Sequence, residues 1–301
     1  MKKRKIEYFI ESEKLFPRDL HTGTLLNNIH FIKAVTEYCH LHAESQYWSR
    51  EDLDVIQRER LRSLTRKISD RSNFWRSLFK KNRFNPMTAN QKNMGRLPIL
   101  SRVDLEKLEK KVYIEPISSD LPTHTHRSDG NTGMPFKFIY SEREIIICHT
   151  VLMFRHPLFE KISFEKLLSR KPFVVLGKIG FRYVFEVDFF NKVFPTVQVS
   201  DFDNSLLRAE IYKSINEAAP AILMGFGSLL VALARYVLID KVSLSLLAIR
   251  TTGAPISSSD KEMIALAFRV PIIDTLSGDG TGWLGFECPA NPNRYHVNSE
   301  H

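Results

Sequence analysis

Pro220-Ala-Ile-Leu-Met-Gly-Phe-Gly227, Ser228-Leu-Leu-Val-Ala-Leu-Ala234, Leu246-Leu-Ala-Ile-Arg-Thr251 and Val270-Pro-Ile-Ile-Asp-Thr-Leu276 decide the fold. The spacing predicts a strand at Ala221–Met224, a helix at Leu229–Val237, a strand at Leu246–Thr251 and a strand at Val270–Leu276. Between the last two, Ser259-x-x-Glu262 reads as the cap of a helix running to Phe268. Short apolar runs alternating with helical stretches imply an α/β fold with a mostly parallel sheet flanked by helices. In such sheets ligands bind beyond the carboxyl ends of the strands, so the loops after Met224, Thr251 and Leu276 are the places to search.

Working outward, Phe173–Leu176 and Val193–Val199 read as further strands and Leu206–Ala218 as a helix. Phe136–Tyr140 reads as a strand after a polar linker, SSDLPTHTHRSDGNTGMP, and Ser141 with Glu144 as the capping box of a helix through Met153. Ser101 with Glu106 caps a short helix. From Tyr47 to about Asn82 the pattern is helical, with Leu61, Leu64, Ile68, Trp75 and Leu78 on one face and Arg58, Arg60, Arg62, Arg66 and Lys67 mostly off it. The expected organisation is an extension over residues 1–46, a helical segment over 47–98 packed on the main domain, and an α/β domain over 99–301.

The 301 residues are 43% hydrophobic and 26% charged, a globular composition that excludes disordered and fibrous classes. A net charge of +9 favours anionic partners such as nucleotides, coenzyme A, nucleic acid or acidic lipid without selecting among them. Nucleic acid rests on charge alone and ranks last. Cys39, Cys148 and Cys288 are odd in number and far apart, which suits a reduced, cytoplasmic protein. The basic start has no apolar run of signal-peptide length, and Pro220, Gly225 and Gly227 break the longest uncharged stretch, so no membrane span is expected.

Four loops could carry chemistry. In Ser128-Asp-Gly-Asn-Thr-Gly-Met-Pro135, Gly130 and Gly133 can turn backbone N–H groups inward, with Ser128, Asn131 and Thr132 adding side-chain donors suited to phosphate oxygens. Asp129-Gly130 is equally a tight-turn signal. Thr251-Thr252-Gly253-Ala254-Pro255 is a small-residue loop that can admit a flat ring, or an ordinary strand-to-helix turn. Asp274-Thr-Leu-Ser277-Gly-Asp279-Gly-Thr-Gly282 offers Asp274 or Asp279 to a hard cation beside phosphates, or carries solvated carboxylates. Cys288 and His296 could be two of four zinc ligands, and two ligands do not make a site.

The order of these segments resembles the phenylacetate–coenzyme A ligase-like branch of the adenylate-forming enzymes. The resemblance covers about residues 47–301. It includes Tyr47-Trp-Ser-Arg-Glu-Asp-Leu53, Gln57-Arg-Glu-Arg-Leu61, Phe74-Trp-Arg-Ser-Leu78 and Leu97-Pro-Ile-Leu-Ser-Arg-Val-Asp-Leu105. Ser128–Pro135 is similar to the family's phosphate loop, Thr251–Pro255 falls where its adenine loop belongs, and Val270–Asp274 through Phe286-Glu-Cys-Pro289 and Tyr295–Asn298 match the next block.

The resemblance implies an ATP-dependent ligase that activates a small aryl or acyl carboxylic acid as an acyl-adenylate. The acyl group would then pass to coenzyme A or a carrier's pantetheine, with Mg²⁺ at the phosphates. It assigns the nucleotide to Ser128, Gly130, Asn131, Thr132, Gly133, Thr252, Gly253, Ala254, Pro255, Asp274 and Ser277, with Thr132 at the phosphates. Three positions depart, the first being Asp129, where the family's phosphate loop has a second Ser or Thr. Where the family has an aromatic residue that stacks on adenine and a Glu that helps hold Mg²⁺, this chain has Leu276 and Gly280. Asp279 is the substitute metal-linked carboxylate. The family's ribose Asp, an Arg and a C-terminal domain with a catalytic Lys would lie beyond His301, so a separately encoded part or a carrier protein is an expected partner. The alternative is a catalytically degenerate or truncated relative that keeps a nucleotide or acyl pocket, or acts as a scaffold.

Overall fold

The computed structural model describes Glu37 and residues 40–101, 103–104, 123–127, 137–141, 156–158, 171–178, 196–199, 201–278 and 281–298. They fall into two compact units, the first taking in the described residues of 40–141 and the second those of 156–297.

The first unit opens with α1 (Arg50–Arg71) and α2 (Asn73–Lys81). Ser72 separates them: its backbone N–H closes α1 on the Ile68 carbonyl, and its hydroxyl accepts from the Trp75 amide to start α2. The one long helix expected over Tyr47–Asn82 is therefore two. Leu64, expected on the apolar face, is 56% exposed; Ile56 and Thr65 are the buried α1 residues. Phe79, Phe84 and Ala89 form a small core, with Leu61, Ile68, Trp75 and Leu97 packed on it. The short α3 (Gln91–Met94) follows a one-turn 3₁₀ helix at Pro86–Thr88. Ser101 caps the next turn with Asp104 as a carboxylate partner, and Glu106 lies outside the described residues.

A two-stranded antiparallel sheet also belongs to this unit. β1 (Thr123–Arg127) pairs with β2 (Lys137–Ser141), setting His124 opposite Tyr140 and His126 opposite Phe138. The segment expected as a polar linker thus holds a strand, paired along one edge with β2. The loop between them, with Ser128, Gly130, Asn131, Thr132 and Gly133, lies outside the described residues, as do Asp279, Cys39, Cys148 and the capping box at Ser141–Glu144.

The second unit is a mixed α/β body. In chain order it comprises β3 (Lys171–Lys178), β4 (Thr196–Val199), α4 (Ser205–Ala218), β5 (Pro220–Phe226), α5 (Gly227–Asp240) and β6 (Ala248–Thr252). α6 (Ser258–Phe268), β7 (Ile272–Gly278), β8 (Gly282–Glu287) and β9 (Tyr295–Val297) complete it. The seven-stranded sheet runs β4-β3-β5-β6-β7-β8-β9. The first five strands are parallel, and β8 and β9 add on antiparallel. Strand–helix alternation thus produced the expected architecture, while the antiparallel pair at one edge was not foreseen.

The central strands β3, β5 and β6 are buried on both faces, which is why they read as continuous apolar runs rather than alternating ones. Val174, Leu176, Leu223 and Ile249 join α4, α5 and α6 in one core through Ile215, Leu230, Leu233 and Ile264, all at most 1% exposed. Each such side chain contributes roughly 1.5–3 kcal/mol by leaving water. Val175, Met224, Arg250 and Ile273, the alternate positions, are buried as well. Arg208 near the start of α4 clamps Asp240 at the end of α5 (Nε–Oδ2 2.9 Å, Nη2–Oδ1 3.3 Å) and lies over the Tyr236 ring. The cap of α6 is Ser257 with Asp260, a reciprocal capping box two residues before the expected Ser259 and Glu262.

Candidate functional site

Strand order reverses beside β3: the chain crosses outward to β4 and then returns to lay β5, β6 and β7 on the other side. Ligands in open α/β sheets bind at such a reversal, outside the strands' carboxyl ends. There β5 runs straight into α5 through Gly225-Phe226-Gly227. A Cβ on Gly225 would sit 3.1 Å from the Leu176 carbonyl oxygen, and one on Gly227 would sit 2.1 Å from Ile256 Cγ2. Glycine is therefore required at both places to let β3, β5 and the loop after β6 close up.

That loop, Thr252-Gly253-Ala254-Pro255, is exposed from Gly253 to Pro255. Gly253 has φ +86°, and the Phe226 ring fills the space where its Cβ would stand, 2.5 Å from that position. The neighbouring end of β7 presents Leu276 (43% exposed) and half-buried Ser277. The Thr252 and Ser277 hydroxyls are 3.0 Å apart, tying the two loops into one ledge. Five of the expected nucleotide-contacting residues, Thr252, Gly253, Ala254, Pro255 and Ser277, thus come together at one edge of the sheet.

Asp274 is placed differently. It is 3% exposed and points into the body, where Oδ1 accepts from Thr251 Oγ1 (2.6 Å) and Oδ2 from Tyr295 OH (2.9 Å). The Lys261 ammonium stands 3.2 Å from the same Oδ2 and also grips both Glu287 oxygens at 2.7 Å. The Asn293 amide donates to Glu287 Oε1 at 2.7 Å, and Thr275 Oγ1 donates to the Thr251 carbonyl. Burial works against the Lys261 charge, but hydrogen bonds to Glu287 and Asp274 raise its pKa above the ordinary value. Burial and the bond to Asp274 push the Tyr295 phenol up. The Asp274 carboxylate, expected at the ligand, is instead a buried structural anion. Lys261, Glu287 and Tyr295 were not singled out in the sequence. The one signal for Lys261 was its place in the first turn of a helix facing a strand that carries a carboxylate.

A second polar group lies on the opposite face of the sheet. Arg250, 1% exposed, stacks on Trp283 with its guanidinium carbon 2.9 Å from the ring centroid and donates to the Met224 sulfur. Cys288 and His296 each make a contact of their own. The thiol receives the Asn291 side-chain amide (3.7 Å), while the His296 ring stacks on Phe286 at 5.1 Å. Among the described residues no three His, Cys, Asp or Glu side chains form a metal-holding group. Against the other side of Phe286 lies His156 (5.0 Å), its Nδ1 accepting from the Leu158 amide. Burial, then the charge of His296, lowers its pKa from 6.5 to about 4.

No protein-family model matches the chain. Among curated proteins, CapK of Staphylococcus aureus is 22% identical over 227 residues, which cover 73% of this chain and 49% of that one. Among solved structures, 2-hydroxyisobutyryl-CoA ligase in complex with 2-HIB-AMP and CoA in the thioesterification state matches with a TM-score of 0.60. The identity is 16%, over 84% of this chain and 56% of that one. The same ligase in the postadenylation state with 2-HIB-AMP matches at 0.54 and 15% identity, over 91% and 57%. The chain spans about half the length of the proteins it matches. It resembles CapK in sequence and shares the fold of an adenylate-forming CoA ligase, in line with the resemblance drawn from the ordered motifs. No described helix is long and apolar enough to cross a membrane.

Two outcomes follow from this geometry. Lys261→Met leaves Asp274 and Glu287 facing each other without a cation and is expected to lower the unfolding free energy by about 3 kcal/mol, read from urea titration. For His156, the folded pKa lies below the unfolded one, so its contribution is complete above about pH 6.5 and lost as pH falls toward about 4. The stability lost between pH 7 and pH 4 should shrink by about 3 kcal/mol in His156→Gln.

Proposed function

We propose that this chain activates a small carboxylic acid with ATP and passes the acyl group to a thiol, that of coenzyme A or of a carrier's pantetheine. A carboxylate oxygen attacks the α-phosphorus and pyrophosphate leaves; the thiolate then attacks the acyl carbon and AMP leaves. The observation that carries the reading is the fold shared with a ligase held with an AMP conjugate and CoA. The ledge of Thr252, Gly253, Ala254, Pro255 and Ser277 supports it, since it stands at the carboxyl edge of that sheet with small residues open to solvent.

Adenine would lie flat on Gly253 and Ala254, with Leu276 giving an aliphatic contact where the family has a ring. The described residues do not fit Mg²⁺: Asp274 is enclosed by Thr251, Lys261 and Tyr295, and Glu287 by Lys261 and the Asn293 amide. Asp279 is proposed as the metal-linked carboxylate, and Ser128, Gly130, Asn131, Thr132 and Gly133 as the phosphate donors. What the chain's own residues contribute is positioning and hydrogen-bond donors aimed at developing charge.

The enclosed Asp274 and exposed Leu276 favour a second reading, a catalytically degenerate relative that binds a nucleotide without reacting it. ATP–pyrophosphate exchange over a panel of aryl and acyl acids separates the two. Exchange with one acid, lost in Asp279→Ala, is the expected result. ATP binding by calorimetry without exchange supports the degenerate relative, and the absence of both sinks the ligase reading.

A further inference from the structure

The positive charge of the chain is concentrated. Residues 50–96 hold thirteen Lys and Arg against five Asp and Glu, a balance of +8 within a chain whose total is +9. Ten of the thirteen are exposed: Arg50, Arg58, Arg66, Lys67, Arg76, Lys80, Lys81, Arg83, Lys92 and Arg96. Arg58, Arg62 and Arg66 follow one another at four-residue intervals along α1, and Arg76, Lys80, Lys81 and Arg83 crowd into eight residues at the end of α2. Arg50 meets Asp54 and Arg62 meets Glu59. Arg66 and Arg76, by contrast, bond backbone carbonyls and the Asn73 amide oxygen, and Lys80, Lys81 and Arg83 reach no carboxylate among the described residues.

Large apolar side chains between residues 64 and 99 are exposed as well. Leu64 is 56% exposed, Met87 58% and Ile99 97%. Of the aromatic residues between 50 and 96, Phe79 and Phe84 are buried and Phe74 and Trp75 half-buried. Phe74 meets Trp75 edge-on, and Trp75, Phe79 and Phe84 pack in sequence at 5.9 and 4.9 Å between ring centroids.

We infer that this helical segment is a docking surface for an anionic membrane. Basic side chains are drawn to acidic headgroups at short range, and protruding aliphatic and thioether side chains enter the interface below them. Single-stranded nucleic acid would call for several exposed rings on which successive bases stack, and in this segment Tyr47 alone of the large aromatic side chains stands open, at 72% exposure. A phosphodiester backbone also offers nothing to Met87 or Ile99.

The test is co-sedimentation of the full 301-residue chain with vesicles of phosphatidylcholine alone or with about one-third phosphatidylserine, at low and high salt. Binding to the anionic vesicles alone, weakened by salt, is expected. Lys80→Glu/Lys81→Glu/Arg83→Glu should weaken it roughly 100-fold. Met87→Ser/Ile99→Ser should weaken it several-fold with the salt dependence unchanged. All five positions are exposed, and circular dichroism checks that the helices persist; the wild-type comparison of vesicles stands without any variant. Binding to neither vesicle or to both alike, indifference to charge reversal, or displacement from vesicles by stoichiometric single-stranded RNA would overturn the inference, the last assigning the face to nucleic acid.

Discussion

The carboxylate of Asp274 is the point at which β6, β7, β9 and α6 are joined, through Thr251, Tyr295 and Lys261. Lys261 carries the connection on to β8 through Glu287, so five elements share one network of two anions and one cation. A buried carboxylate is tolerated when its oxygens are hydrogen-bonded and its charge is matched, and strongly destabilising when one partner is removed. Here the network fixes the antiparallel edge to the parallel sheet and sets where β7 ends. The exposed ledge lies just beyond it, with Thr252 directly after Thr251 and Ser277 three residues past Asp274.

The same network explains why this edge of the sheet is chemically quiet. Its carboxylates, Asp274 and Glu287, are turned to Lys261, and the surface left open is made of glycine, alanine, proline, hydroxyls and a leucine. Such a surface receives a flat ring by contact and hydrogen bonding; it does not by itself bring charge to a phosphate. In the proposed reaction, charge stabilisation is assigned to the loops at 128–135 and 279–280, and Asp129, Leu276 and Gly280 are where the sequence departs from the ligase pattern.

Much of the sheet was legible because a parallel strand buried on both faces is an unbroken apolar run, as at Ala221–Met224 and Leu246–Ile249. The loops at its carboxyl edge were legible for the same reason, since each follows such a run. What escaped reading depends on partners distant in sequence. Thr123-His-Thr-His-Arg127 is a strand through its pairing with Lys137–Ser141, and nothing in five polar residues announces that. Gly282–Glu287 carries two glycines, one of them demanded by the His296 carbonyl oxygen 2.3 Å from where a Cβ would be, and glycine weakens any strand pattern. Asp274 was read as a ligand residue because its neighbours suggested a site; its burial was set by Tyr295 and Lys261. The run Ser257-Ser-Ser259 offered three equivalent caps, and the reciprocal bond with Asp260 selected the first.

The claim that binds these observations together is that the ledge at residues 252–256 and 276–278 is where ATP sits. Hydrogen–deuterium exchange of the full chain with and without saturating ATP and Mg²⁺ measures this directly. Slower exchange of the amides across both segments on adding ATP, with β3 to β5 unchanged in their buried cores, is the predicted result. Unaltered exchange at 252–256 and 276–278, whether ATP protects another region or none, would contradict the account.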